Sequence, residues 1–275
     1  MKLEKHDYDY LADLLKTVSG LSLGAGKEYL IESRLMPLCR DLKLAGIPEL
    51  ILKLRAPPSD KNLVKLVNDL MTTNESLFFR DYTPFELIRT RFLPELVKTR
   101  AQSKTLTIWS AACSSGQEPY SIAMLLCECG LNFSGWNVKI IATDFSEEIL
   151  RRAREGAYSQ YEVSRGLPAD LLLKYFDRRE DRFVAKPVLR DMIEFRFANL
   201  LQPLTIPRCD VVFLRNVLIY FENQAKTQVI DAVAKIAAED ALLVLGGAES
   251  VHGLSDCWSM IEGIRSPIYR RKAKA

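Results

Sequence analysis

The stretch WSAACSSGQEPYSIAMLL, Trp109 to Leu126, reads as a strand end, a tight turn of small residues and the start of a helix. A strand–turn–helix junction usually cradles a phosphate, using several glycines and the positive end of the helix. Here the turn holds one glycine, Gly116, and a carboxylate, Glu118, stands just inside the helix. The G-x-G-x-x-G spacing is absent, and a pyrophosphate on these amides would be repelled by Glu118. The junction opens a βα unit whose ligand is not a dinucleotide.

Working outward, LTIWS (106–110), VKIIATD (138–144), MIEFRF (192–197), DVVFL (210–214) and ALLVL (241–245) are short, mostly apolar runs. Several are too continuous for half-exposed strands and suit a parallel sheet covered on both faces. Helical segments alternate with them, as at 223–238, where Val229, Ile230, Val233 and Ile236 form one stripe. That alternation predicts a doubly wound α/β domain. RFVAKPVLRDMIEFRF (182–197) departs from it and reads as two strands joined by a tight turn, an antiparallel hairpin insert. Residues 1 to about 70 show helical spacing instead, as in Ile31, Leu35, Leu38 and Leu42. Pro37 predicts a kink or break in that helix, and Ala56-Pro-Pro-Ser59 a helix stop. The expected organisation is a small all-α domain over 1–70, then an α/β domain over 71–275 with its β insert at about 174–198.

Bulk properties narrow the function. At 275 residues two domains are expected, since one domain takes roughly 100–200 residues. A net charge of +3 is too mild to imply nucleic-acid binding by charge. The N-terminus, MKLEKHDYDY, lacks the apolar stretch of a signal peptide, and no run of about 18 apolar residues could span a membrane. The six cysteines form no C-x-x-C pair, as expected of a reduced, cytoplasmic protein. With His6 and His252 as its only histidines, the chain offers little for a histidine base or a histidine metal site, and no metal is expected.

The ligand can be read from two carboxylates. Glu118 would partner a cation, although it would also complement the helix dipole with no ligand present. Asp144 ends the next strand, 26 residues on, where an acid commonly accepts hydrogen bonds from a ribose diol; it would equally serve to cap the helix FSEEILRRA. Together, at adjacent strand ends with a small-residue turn between them, they point to an adenosine-like ligand that is cationic at its other end. S-adenosylmethionine, with its α-ammonium and sulfonium and no phosphate, has that character.

Several motifs resemble the CheR-type methyltransferases, which methylate glutamates on bacterial chemotaxis receptors. TTNESLFFR (72–80) resembles the family's TN-x-x-x-FFR linker, WSAACSSGQEPYS its first turn, IATD (141–144) its second strand end, ANLL (198–201) its NLL, and FLRNVLIYF (213–221) its RNV-x-IYF signature. The resemblance covers nearly the whole chain and implies a Rossmann-like class I methyltransferase domain using S-adenosylmethionine and releasing S-adenosylhomocysteine. It implies that Asn74, Ser76 and Arg80 line the cofactor pocket, that Glu118 holds the ammonium and Asp144 the ribose, and that Asn199 and Leu200 border the adenine. Arg215 and Asn216 would lie along the opposite strand end, with Arg80 and Tyr220 near the transferable methyl. Leu200 would also serve as plain core, and Tyr220 as an ordinary buried aromatic. Gln117 replaces one of the family's two glutamates, leaving Glu118 as the only charge in that turn.

The chemistry agrees with the scarcity of histidine: a glutamate acceptor, with pKa near 4.3, is already ionised at neutral pH. Methylases of nucleic-acid amino groups typically carry N/D-P-P-Y/F after the fourth strand, where Arg215-Asn216-Val217 stands here. An RNA or small-molecule methyltransferase and a non-catalytic cofactor-sensing scaffold are the alternative readings. The resemblance implies an acidic receptor helix as substrate and recruitment to membrane-bound receptor arrays. Residues 33–66 carry seven cations against three carboxylates, with Arg34, Arg40 and Lys43 as docking candidates; a merely solvated face would look the same. Some members hold a receptor C-terminal peptide through a glycine-containing hairpin loop; 176–183 is short and glycine-free, which argues against such a tether. No nucleic acid, no membrane insertion and a monomer are expected.

Overall fold

The apolar runs form strands in a computed structural model that describes residues 3–24 and 26–272. The strands are β1 (Thr105–Ala111), β2 (Asn137–Asp144), β3 (Ala157–Ser159), β4 (Phe176–Arg179), β5 (Arg182–Ala185), β6 (Ile193–Phe197), β7 (Cys209–Leu214), β8 (Ala237–Leu245), β9 (Trp258–Met260) and β10 (Ile268–Arg271). Among the described residues they make a seven-stranded sheet, β6-β2-β1-β7-β8-β10-β9, and a three-stranded one, β3-β5-β4. Pairing is parallel from β6 to β8 and antiparallel through β10 and β9. All six residues of β7 are buried, the signature of a strand covered on both faces. β1, β2, β7 and β8 all point their carboxyl ends the same way, with the Trp109–Leu126 junction at the end of β1.

The hairpin expectation is corrected. Within 182–197, β5 pairs antiparallel with β4 and β3, whereas β6 runs parallel to β2 at the edge of the main sheet. Pro187 opens a short helix, Pro187–Arg190, between them. The β6 run, Ile-Glu-Phe-Arg-Phe, alternates apolar and polar residues, and alternation carries no information about the partner strand. The actual hairpin is β4–β5, turned by Glu180 and Asp181, and the small sheet draws on 157–185.

Two compact units emerge: residues up to Thr73 together with Tyr220–Ala225, and Asn74–Ile219 together with the residues from Lys226 on. The first holds α1 (Lys5–Ser19), α2 (Glu28–Asp41), α3 (Ile47–Arg55) and α4 (Lys61–Met71) around Leu11, Leu15, Ile31, Leu35, Leu50 and Val67. Gly20 ends α1 in the left-handed conformation, and the Asp60 carboxylate caps α4 through the Asn62 and Leu63 N–H groups. α2 runs on through Pro37 without the break expected there. Pro37 and Ser33, whose carbonyl loses its partner, are both exposed, so water can satisfy that carbonyl.

In the second unit the linker is built into the core. Phe78 packs edge-on to Tyr158 and Phe176, with ring centroids 5.0 and 5.7 Å away. Gly166 lies directly on the Phe78 backbone: a Cβ there would stand 2.1 Å from the Phe78 carbonyl oxygen, and its φ of +91° is itself unfavourable for other residues. Gly166→Ala should therefore lower stability by about 1–3 kcal/mol, the scale of core overpacking. Gly247→Ala, with nothing within 4 Å, should be nearly neutral. Urea unfolding checks the contrast, and equal stability of the two variants would refute this packing.

Candidate active site

The turn after β1 answers the question its sequence raises. Ala112, Ser114 and Gly116 all have positive φ, of 55°, 51° and 95°. The amides so exposed are turned inward: Cys113 N–H donates to the Thr143 carbonyl at 2.8 Å, and Ser114 N–H to Asp144 Oδ2 at 2.8 Å. Gly116 serves packing, since a Cβ would come within 3.0 Å of the Tyr158 hydroxyl and 3.1 Å of Ala153. A phosphate cradle needs free amides, and these are engaged.

Asp144 is buried and also accepts the Ser146 N–H at 3.0 Å, so one carboxylate ties the β1 turn to the β2 end. Burial pushes its pKa up, against the pull of the backbone N–H groups of Ser146, Ser114 and Phe145. It does not cap the following helix, Glu147–Glu155, because the Ser146 hydroxyl does. A carboxylate has about four lone-pair positions, so with these three backbone donors Asp144 retains room for about one more.

Glu118 sits in the first turn of helix Gln117–Glu128, with its side chain 12% exposed. Ser110 Oγ–H donates to Oε1 at 2.8 Å, and Arg215 Nη1 to Oε2 at 3.1 Å. Burial raises the Glu118 pKa; Arg215 and Ser110 oppose that shift, while Glu249 adds to it. Arg215, at the end of β7, is 2% exposed at its side chain and donates through Nη2 to Asp81 Oδ2 at 2.7 Å and to the Arg80 carbonyl at 2.8 Å. It stands over the Phe85 ring at 5.5 Å. This cation joins the β7 end, the helix start and the linker, instead of presenting an open charge to an anionic acceptor. The linker it holds is strained: Phe79, Asp81 and Tyr82 have φ of 46°, 64° and 42°. Phe79 N–H is fixed by the Ser121 hydroxyl at 2.9 Å.

A third carboxylate, Glu249, was missed at the sequence level. It follows Gly246-Gly247-Ala248 after β8, is 7% exposed, and accepts backbone N–H groups of Asn216, Leu218, Ile219 and Gly246. A carboxylate a few small residues past a strand end is the pattern that also marks Glu118, and that signal would have found it.

The other candidates fall as follows. The Asn74 carbonyl accepts from Ser114 Oγ at 2.9 Å, and Ser76 is half-buried. Arg80, half-buried, makes a long contact of 3.4 Å with the Glu75 carbonyl. Asn199 turns its side chain back to the Leu201 N–H at 3.0 Å, and Leu200 is buried. Asn216, with φ 56°, sits at the β7 end beside Arg215. Tyr220 packs against the core of the helical unit, its carbonyl accepting from Ser22 N–H at 2.9 Å. In that unit Arg40 and Lys43 are exposed, whereas Arg34 donates to the Met71 carbonyl and, at 3.0 Å, to Thr73 Oγ1. Among the described residues no group of three His, Cys, Asp or Glu could hold a metal ion.

Family models match both units: one described as "CheR methyltransferase, all-alpha domain" covers residues 6–71, and one described as "CheR methyltransferase, SAM binding domain" covers residues 74–266. The chain belongs to the CheR methyltransferase family. It is 37% identical to Chemotaxis protein methyltransferase 1 of Pseudomonas aeruginosa, over 99% of this chain and 100% of that one. It is 36% identical to Chemotaxis protein methyltransferase Cher2 of Pseudomonas putida, over 97% and 98%, and 36% identical to the Chemotaxis protein methyltransferase of Vibrio parahaemolyticus, over 98% of each. As in other CheR methyltransferases, the cofactor is S-adenosylmethionine. The residues present fit it: Glu118, Asp144 and Glu249 outnumber Arg215 as buried or nearly buried charges, an excess that complements a cationic ligand and would repel a phosphate.

Removing the central cation should expose that imbalance. Without Arg215, the Glu118 pKa rises further, so the folded state holds more protons than the unfolded one and stability falls as pH rises. Arg215→Met should cost about 3–5 kcal/mol near pH 7.5, the scale of a broken buried pair, and markedly less near pH 5.5. Urea unfolding at the two pH values checks this; an equal loss at both would show that Glu118 does not depend on Arg215.

Proposed function

We propose that this chain transfers the methyl group of S-adenosylmethionine to the γ-carboxylate of glutamates on the cytoplasmic helices of chemotaxis receptors. The observation that carries the reading is the match to both CheR family models along nearly the whole chain. Relatives named chemotaxis protein methyltransferases, aligned over 97–99% of this chain, support the receptor as substrate.

When bound, the cofactor supplies an electrophilic methyl on a sulfonium. Glu118 would hold its ammonium and Asp144 its ribose hydroxyls, roles supported by their burial and by the acceptor position that Asp144 keeps. Asn199 and Leu200 would border the adenine; Asn74, Ser76 and Arg80 would line the pocket from the linker, and Arg215 and Asn216 from the end of β7. Arg80 and Tyr220 would flank the methyl, Arg80 orienting either the incoming carboxylate or that of the cofactor. An ionised glutamate needs no general base, so the protein contributes alignment and exclusion of water. The exposure of Arg40 and Lys43 supports an acidic docking partner for the helical unit; Arg34, engaged at Met71 and Thr73, acts more as a brace. The two-residue β4–β5 turn supports docking without a receptor C-terminal tether.

Labelled methyl from S-adenosylmethionine should pass to receptor cytoplasmic fragments and be released by mild alkali as methanol, as an ester is. Transfer to RNA, or an alkali-stable product, would refute the glutamate reading.

A further inference from the structure

We infer that Glu249 is a positioning residue of this methyl-transfer site: its carboxylate fixes the turn after β7 and so sets where Asn216 stands. The inference rests on the proposed reading of the site and adds a residue to it. Four backbone N–H groups converge on this side chain. Oε2 accepts from Asn216 at 2.7 Å and Gly246 at 2.8 Å, while Oε1 accepts from Leu218 at 2.8 Å and Ile219 at 3.3 Å. Two of those donors open the 3₁₀ turn Leu218–Tyr220, and a third belongs to Asn216, whose φ of 56° lies in the left-handed region that asparagine tolerates better than most residues. A buried N–H left without an acceptor is costly, so the turn keeps this shape because one carboxylate satisfies three of its donors. Gly246 completes the cradle: a Cβ there would stand 2.6 Å from Asn216 Nδ2 and 2.8 Å from Glu249 Oε2. The same strand end carries Arg215, so Glu249 holds the turn from one side while Arg215 pairs with Glu118 on the other.

Glu249→Gln keeps the shape but turns one acceptor oxygen into an amide NH₂ facing two N–H donors. Affinity for S-adenosylhomocysteine, measured by calorimetry on the full chain, should fall by about tenfold, the scale of a lost charge-assisted hydrogen bond. A double-mutant cycle separates positioning from a general structural role. If Glu249 acts through Asn216, then Glu249→Gln should add less than about twofold in an Asn216→Ala background. Gly246→Ala disturbs the cradle from the end of the neighbouring strand β8, should show the same non-additivity, and replaces Glu249→Gln if that variant does not fold. Full additivity with Asn216→Ala, or unchanged affinity in the folded variants, would overturn the inference while leaving the methyltransferase reading intact. A wild-type chain that fails to bind S-adenosylhomocysteine would overturn both.

Discussion

The site is organised around one buried cation. Arg215 leaves the end of β7 and reaches Glu118 at the helix start, Asp81 in the linker and the Arg80 carbonyl, all within 3.1 Å. Burying an ion pair gains little by itself, because desolvation consumes much of the attraction, but losing one partner strands the other. Arg215 is therefore better understood as setting positions than as adding stability. It fixes three segments that are far apart in sequence, and the strained residues Phe79, Asp81 and Tyr82 keep their conformation because the surroundings over-determine it.

The turn after β1 follows the same logic with opposite sign. A chain of small residues with positive φ exposes amides, and in nucleotide-binding folds those amides meet phosphate. Here Asp144 and the Thr143 carbonyl occupy them from the β2 end. Once these amides bind the protein's own acceptors they no longer offer themselves to an anion, and the buried or nearly buried carboxylates nearby outnumber Arg215, a balance that favours a cation. Substituting glycines with Ala112 and Ser114 is tolerable because hydrogen bonds hold the turn where flexibility otherwise would.

Much of this was legible in the sequence. The five parallel strands are apolar runs of the right length, and Glu118 and Asp144 stand out because strand ends are read directly from where those runs stop. The linker and the RNV-x-IYF segment were found through resemblance, since strained backbone leaves no periodic trace. The run 182–197 was misread because alternation specifies a face and not a partner. β9 and β10 went unseen because Trp258–Met260 and Ile268–Arg271 are too short to show a period. The Glu118–Asp81–Arg215 cluster was also invisible: its members lie 37 to 134 residues apart, and pairing at that separation is a property of the fold alone. Pro37 shows the converse, a local rule overridden because the carbonyl it frees lies on an exposed face.

The central claim is that Glu118 recognises the cationic end of the cofactor. It is tested most directly by comparing S-adenosylhomocysteine with 5′-methylthioadenosine, which lacks the amino-acid portion, in calorimetry on wild type and Glu118→Gln. The account predicts a strong wild-type preference for S-adenosylhomocysteine that shrinks by about tenfold or more in Glu118→Gln, with 5′-methylthioadenosine affinity little changed. An undiminished preference in Glu118→Gln would contradict it.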